Sequence, residues 1–315
     1  MSGPIAIGVS ACLLGNNVRY DGGNSHDNYI TDILGRFFSF VPVCPEVESG
    51  MTIPREPMRL EGDPAAPRLM TIMTRIDKTG QMTSFCHSRV RELEKEDLCG
   101  FIFKKNSPSS GLFRVKVHDN ANRTRAGTGL FAAEVVRRFP HLPVEEEGRL
   151  NDPVIRENFV ERVFSYRRWK DFMRDEHDIS GLVEFHTRHK LLVMAHSPSA
   201  YREMGSLVAH GQELKRPALF KCYEEMLMKA LAMRATARKN SNVLMHIMGY
   251  FKKELNCAEK DEMSGLISQF HDGLVPLIVP LTLLRHYVKK FDRQYLAKQV
   301  YLSPCPAELM LRNHV

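Results

Sequence analysis

The sequence predicts an α/β domain with a Rossmann-like parallel sheet, followed by an all-α domain. Three observations carry that expectation. Short β-branched or aromatic runs alternate with helical periodicity through the first half, as strands joined by crossover helices do. Three of these runs, at 5–10, 40–44 and 100–104, reach glycine, proline or serine turns bearing small thiol or hydroxyl side chains. From Gly181 onward strand signals nearly vanish.

Taken in order, strand 5–10 breaks at Ser10-Ala11-Cys12 into glycine and asparagine. A helix is expected over 27–38, with Ser25 or Asp27 able to cap it. Strand 40–44 runs into Pro45 and Glu46, and a proline-rich loop follows through Pro54, Pro57, Pro64 and Pro67. A strand over 69–76 and a charged amphipathic helix over 83–98 precede the strand at 100–104 and its Ser107-Pro-Ser-Ser110 turn. Gly127-Thr-Gly129 opens a helix to Arg138, where the glycines suit either a phosphate or tight packing. A strand near 142–145 closes the unit, and Asn151-Asp-Pro153 caps a helix with proline in its first turn. Helices are then expected over 180–195, 198–210, 217–237, 239–255, 258–271 and 279–290. A parallel sheet would bring Cys12, Cys44 and the 107–110 turn to one carboxyl rim, where such folds place their sites.

Composition narrows the function classes. The chain has 315 residues, 43% hydrophobic and 26% charged, enough for two domains with real cores. Met1-Ser-Gly-Pro4 shows no features of a signal peptide, so a cytoplasmic protein is expected. The longest apolar run, 273–284, is too short to span a bilayer and contains Pro276 and Pro280, which argues against a membrane partner. Seven irregularly spaced cysteines suggest reduced thiols or a metal rather than a disulfide framework. Net charge is +7, and residues 181–315, with 19 Lys and Arg against 12 Asp and Glu, hold all of the surplus. A local basic surplus suits a polyanion, nucleic acid above all, or a plain solvated surface.

Two thiols beside a carboxylate, Glu46, suggest a soft metal, although buried structural cysteines are the commoner arrangement. Three sets of motifs go further: Ser10-Ala-Cys-Leu-Leu-Gly15 with Arg19-Tyr-Asp-Gly22, Val43-Cys-Pro-Glu46 with Pro54-Arg-Glu-Pro57, and Phe103-Lys-Lys-Asn-Ser-Pro-Ser-Ser-Gly111. In order over about 4–155, they resemble the TudS-type thiouracil desulfidase family. Phe185-His-Thr-Arg-His-Lys190, Asn242–Phe251 and Val275–His286 resemble the YbgA-like helical domain. Together they are similar to RudS-type fusions. The expected division is a desulfidase domain over 1–155, a helical connector over 156–184 and the helical domain over 185–315.

The resemblance implies non-redox removal of sulfur from thiolated uracil, most directly 4-thiouridine in tRNA, at a [4Fe-4S] cluster on three cysteines. Cys12 and Cys44 match two ligands. Ser110 stands at the third, and a serine oxygen is a harder, poorer ligand than thiolate. Three outcomes stay open: weak ligation by Ser110, substitution by Cys86 or Cys99, or a labile or lost cluster. Glu46 is implied as the acid–base residue and Ser107 as a substrate or proton-path residue, with a turn cap as its plainer role. Ser10, Asp21 and Arg55 lie in matching motifs as substrate-binding candidates, with a turn aspartate and a structural arginine as the plainer roles of the last two. For tRNA the candidates are Arg234, Arg238 and Lys239, then His246 and the 285–290 run, with Tyr250 and Tyr287 able to stack or to pack in the core. No protein partner is implied. The alternatives are an RNA-binding protein with a degenerate cluster site, or a desulfidase of free thiouracil.

Overall fold

A computed structural model describes residues 4–119, 122–174 and 178–314. Residues 175–177 of the expected connector, 1–3 and 120–121 of the first expected domain and 315 of the last lie outside the described residues. The chain forms two compact units, Met1–Asp152 and Pro153–Val315.

The strands of the first unit are β1 (Ile5–Ser10), β2 (Phe38–Val43), β3 (Met58–Glu61), β4 (Arg68–Thr71), β5 (Gly100–Phe103), β6 (Val115–Asp119), β7 (Asn122–Gly127) and β8 (Val144–Glu146). Four of them make an all-parallel sheet in the order β2-β1-β5-β8. Ile7 and Val9 on one face of β1 and Gly8 and Ser10 on the other are all buried, as a central parallel strand covered on both faces requires. Pro42 falls in β2, at the sheet edge, where a missing N–H breaks no ladder bond. Gly8 lets β1 pass beside Phe101, since a Cβ there would lie 2.2 Å from the ring. Phe101 and Phe103 stack at 4.2 Å and Phe131 meets them edge-on, closing the core on that face.

A second, mixed sheet, β4-β3-β6-β7, departs from the sequence expectation. The proline-rich loop contains β3, and the strand expected over 69–76 stops at Thr71: Ile72 N–H still reaches Pro57 O, its partner in the β3 register, but Thr71 N–H bonds Ile76 O at 3.0 Å and closes a turn. The helix expected over 27–38 is a π turn (Tyr29–Ile33) followed by a 3-10 turn (Leu34–Arg36), with Asp27 Oδ1 accepting Ile30 N–H at 3.2 Å. Helices α1 (Pro45–Glu48), α2 (Thr79–Leu93) and α3 (Leu130–Arg138) complete the unit.

The second unit is helical. It comprises α4 (Pro153–Arg174), which covers much of the stretch expected as a connector, α5 (Ile179–His196), α6 (Pro198–Ala209), α7 (Arg216–Ala232), α8 (Ala237–Met248), α9 (Cys257–His271), α10 (Ile278–Lys290) and the short α11 (Gln294–Ala297). The helix expected over 239–255 ends at Met248 and continues only as a 3-10 turn, Gly249–Phe251. Side-chain caps start α5, α6, α8 and α9, the last through a capping box between Asn256 and Glu259. Among the described residues no helix is long and apolar enough to cross a membrane.

A buried ion network ties the C-terminal segment to α4. Arg312 donates to Glu161 at 2.6 Å and to Tyr301 O at 2.6 Å, and His196 lies 3.2 Å from Glu161. Burial alone would raise the Glu161 pKa, but Arg312 and His196 outweigh it and hold the carboxyl well below its usual 4.5. A depressed carboxylate stabilises the fold fully above its unfolded value and loses that contribution as pH falls. The stability of this unit should therefore decline below about pH 4.5. Arg312→Leu should cost about 3 kcal/mol at neutral pH, because it leaves a buried charge unpaired. Chemical denaturation across pH checks both: a midpoint that holds as pH drops below about 4.5 contradicts the first, and an unchanged midpoint in the variant the second.

Candidate active site

Three strand ends meet at the carboxyl edge of the parallel sheet. After β1 the chain enters a 3-10 turn, Ala11–Leu14, whose Cys12 O accepts Ser25 N–H at 2.9 Å. After β2, Cys44 is the extended residue that starts α1, and its N–H donates to Glu48 at 2.6 Å. After β5 comes the serine turn. Ser107 Oγ accepts the N–H groups of Ser109 at 3.3 Å and Ser110 at 3.1 Å, and Ser107 O accepts Gly111 N–H at 2.8 Å. Gly129 seats this turn on the start of α3, since a Cβ there would lie 2.5 Å from the Ser109 carbonyl. Close packing is thus what that glycine supplies.

These ends enclose a cavity of about 420 Å3. Ser10, Cys12, Cys44, Glu46, Arg55, Ser107 and Ser110 all line it, together with Arg19, Tyr20, Lys104, Lys105 and Ser109. Asp21 does not. It is exposed, accepts Gly23 N–H at 3.0 Å and pairs with Arg19 at 3.1 Å, which keeps its pKa low. Ser10 is buried and its Oγ accepts Lys104 N–H at 2.9 Å, joining β1 to the end of β5.

Glu46 is engaged at both oxygens. Oε2 accepts two hydrogen bonds from Arg55, at 2.8 and 2.6 Å, and Oε1 accepts Ser109 Oγ–H at 2.7 Å. Ser109 Oγ in turn lies 3.0 Å from Ser107 Oγ, so a carboxylate and two hydroxyls form one chain across the cavity wall. Arg55 also donates to Val18 O at 2.9 Å, an oxygen shared with the Cys44 thiol at 3.7 Å. Burial pushes the Cys12 thiol up to about 11, against a lowering by Lys104, and raises Cys44 as well.

Sequence reasoning missed Ser109, Lys104 and Glu147. Lys104 pairs with Glu147, whose other oxygen accepts Lys105 N–H at 2.8 Å. The signal was present in Glu145-Glu-Glu147, three acids at the end of a strand reaching the same rim.

In the second unit Arg234 and Arg238 are exposed, whereas Lys239 turns its ammonium inward to His196 O at 2.8 Å and Arg234 O at 3.0 Å. His246 is exposed beside Tyr250, while Tyr287 is core and Arg285 is spent on Leu302 O.

The donor set does not fit a [4Fe-4S] cluster on three cysteines. The cavity offers two thiols and the Ser110 hydroxyl. Cys86 is buried on α2 and does not line it. Cys99 does not line it either; its N–H bonds Ala6 O near the start of β1, away from the rim where Cys12 lies. Among the described residues no three His, Cys, Asp or Glu are grouped to hold a metal ion.

Residues 7–147 match the family described as 2-thiouracil desulfurase, and residues 190–306 match a family described as a protein of unknown function (DUF1722). The uncharacterized protein YbgA of Escherichia coli (strain K12) is 30% identical over 141 residues, which make 44% of this chain and 83% of that protein. A solved [4Fe-4S]-dependent thiouracil desulfidase, TudS, is 27% identical with a TM-score of 0.39, covering 47% of this chain and 94% of its own. The chain belongs to the YbgA family, and it joins that family's sequence to a unit similar to 2-thiouracil desulfurases.

Proposed function

We propose that the cavity at the carboxyl edge takes a thiolated uracil base and exchanges its sulfur for the oxygen of water, with free thiouracil as the simplest substrate. The observation that carries this is the meeting of Glu46, Ser109, Ser107, Cys12 and Cys44 on one cavity wall, in the unit that matches 2-thiouracil desulfurases. Water adds to the thiocarbonyl carbon while one of its protons passes to Glu46, a carboxylate bonded to Ser109 of the serine turn. That proton moves on to sulfur, the C–S bond breaks to free hydrosulfide, and the new hydroxyl passes its proton through Glu46 to the hydrosulfide as the carbonyl closes. The products are the oxo base and hydrogen sulfide, with no change of oxidation state. The polarisable thiols of Cys12 and Cys44 supply soft contacts for the substrate sulfur.

The basic surplus in residues 181–315 favours a second reading, in which tRNA carries the thiolated base to the same cavity. The base would have to leave its stack to enter. Sulfide release from 2-thiouracil and from tRNA containing 4-thiouridine, measured side by side across salt, separates the two. Free-base activity indifferent to salt supports the first. Activity on tRNA alone that weakens in Arg234→Gln/Arg238→Gln, with a salt slope flatter by about two units, supports the second.

A further inference from the structure

Cations outnumber anions on the cavity wall: Arg19, Arg55, Lys104 and Lys105 stand against Glu46. Arg19 is committed to Asp21 and Arg55 to Glu46. Lys104 is held differently. Its main-chain N–H is fixed to Ser10 Oγ, and its ammonium donates to Glu147. That carboxylate also fixes the next residue through Lys105 N–H. Glu147 is only 7% exposed, and Lys104, at 19%, reaches the cavity. An ammonium has three N–H donors, and Glu147 accounts for one of them. Lys104 and Cys12 line the same cavity, so the ammonium stands on the wall beside the thiols.

We propose that Lys104, positioned by Glu147, is a further substrate-contacting residue whose ammonium receives the sulfur of the thiolated base as it becomes anionic. The assignment rests on the desulfidase reading for its substrate. When the C–S bond breaks, the bonding pair stays on sulfur and oxygen from water completes the carbonyl. The hydrosulfide then leaves against the ammonium. A charge-assisted hydrogen bond that strengthens as charge develops lowers the barrier without tightening the ground state.

The test uses thiocyanate, a small soft sulfur anion, and reads alkylation of Cys12 by iodoacetamide through peptide mass spectrometry on the full chain. In the wild type, thiocyanate should slow alkylation about tenfold more than acetate at equal ionic strength, the scale of a hydrogen bond to a charged group. Lys104→Met should abolish that difference and Lys104→Arg, which keeps the pairing with Glu147, should restore it. Equal protection by thiocyanate and acetate in the wild type overturns the proposal without recourse to any variant. Undiminished protection in Lys104→Met overturns it too. Protection that depends on Lys104 in a protein releasing no sulfide from 2-thiouracil supports the sulfur-anion site and sinks the desulfidase reading alone.

Discussion

Replacing Ser110 by cysteine should raise the iron and acid-labile sulfide bound after anaerobic reconstitution, from little to about four of each per chain. Ser110 is buried, lies on the same cavity wall as Cys12 and Cys44, and has its main chain pinned by Ser107. Exchanging oxygen for sulfur there changes one atom and turns two thiols plus a hydroxyl into three thiols facing one space. Soft thiolate is what cluster iron selects, so the effect should be close to all-or-none. Cys86→Ala should leave iron content alone, because that thiol is buried on α2 with its pKa pushed up to about 12. Iron unchanged by Ser110→Cys, or lost in Cys86→Ala, contradicts this account of the cavity.

The second large effect belongs to Glu46. Glu46→Gln should reduce sulfide release from thiouracil about a thousandfold, the range of a lost general base, while binding of the product uracil stays within about twofold. Glutamine keeps an oxygen for Arg55 and a polar neighbour for Ser109. Glu46→Ala is a poorer probe, since Arg55 is 7% exposed and its pairing with Glu46 would be lost. An unpaired buried guanidinium costs about 3 kcal/mol, and lost activity would then reflect lost folding. A fall of less than about tenfold in Glu46→Gln would remove Glu46 from the chemistry.

What the sequence announced and what it hid divide along physical lines. β1 and β5 were legible because a buried parallel strand must be a short, nearly continuous apolar run, β2 at the edge because of its aromatic and β-branched residues, and each ends in a turn with its own signature. The helices of the second unit showed through periodicity, with ends displaced by caps and 3-10 turns. The second sheet was mostly hidden. β4 showed only as the front of the strand expected over 69–76, while Met58-Arg-Leu-Glu61 is short, mixes charged and apolar residues, and is a strand through its pairing with β4. β3 also pairs with β6, which lies more than fifty residues on. At the site, Cys12, Cys44, Glu46 and the serine turn could be found because strand ends point to one rim. The roles of Lys104 and Ser109 could not, since Lys104 meets its partner 43 residues away and Ser109 meets Glu46 at a separation of 63. Asp21 lies in a site motif but folds as the turn aspartate its Arg-Tyr-Asp-Gly context also suggests, paired with Arg19.

The central claim is that this cavity removes sulfur from a thiolated uracil by water. It is tested most directly by incubating the full chain with 2-thiouracil in water enriched in heavy oxygen, then measuring sulfide and the mass of the uracil formed. The account predicts one hydrosulfide for each uracil, every uracil carrying one solvent oxygen, and loss of both products in Glu46→Gln. Sulfide without solvent oxygen in the product, or unchanged 2-thiouracil beside a folded protein, would contradict it.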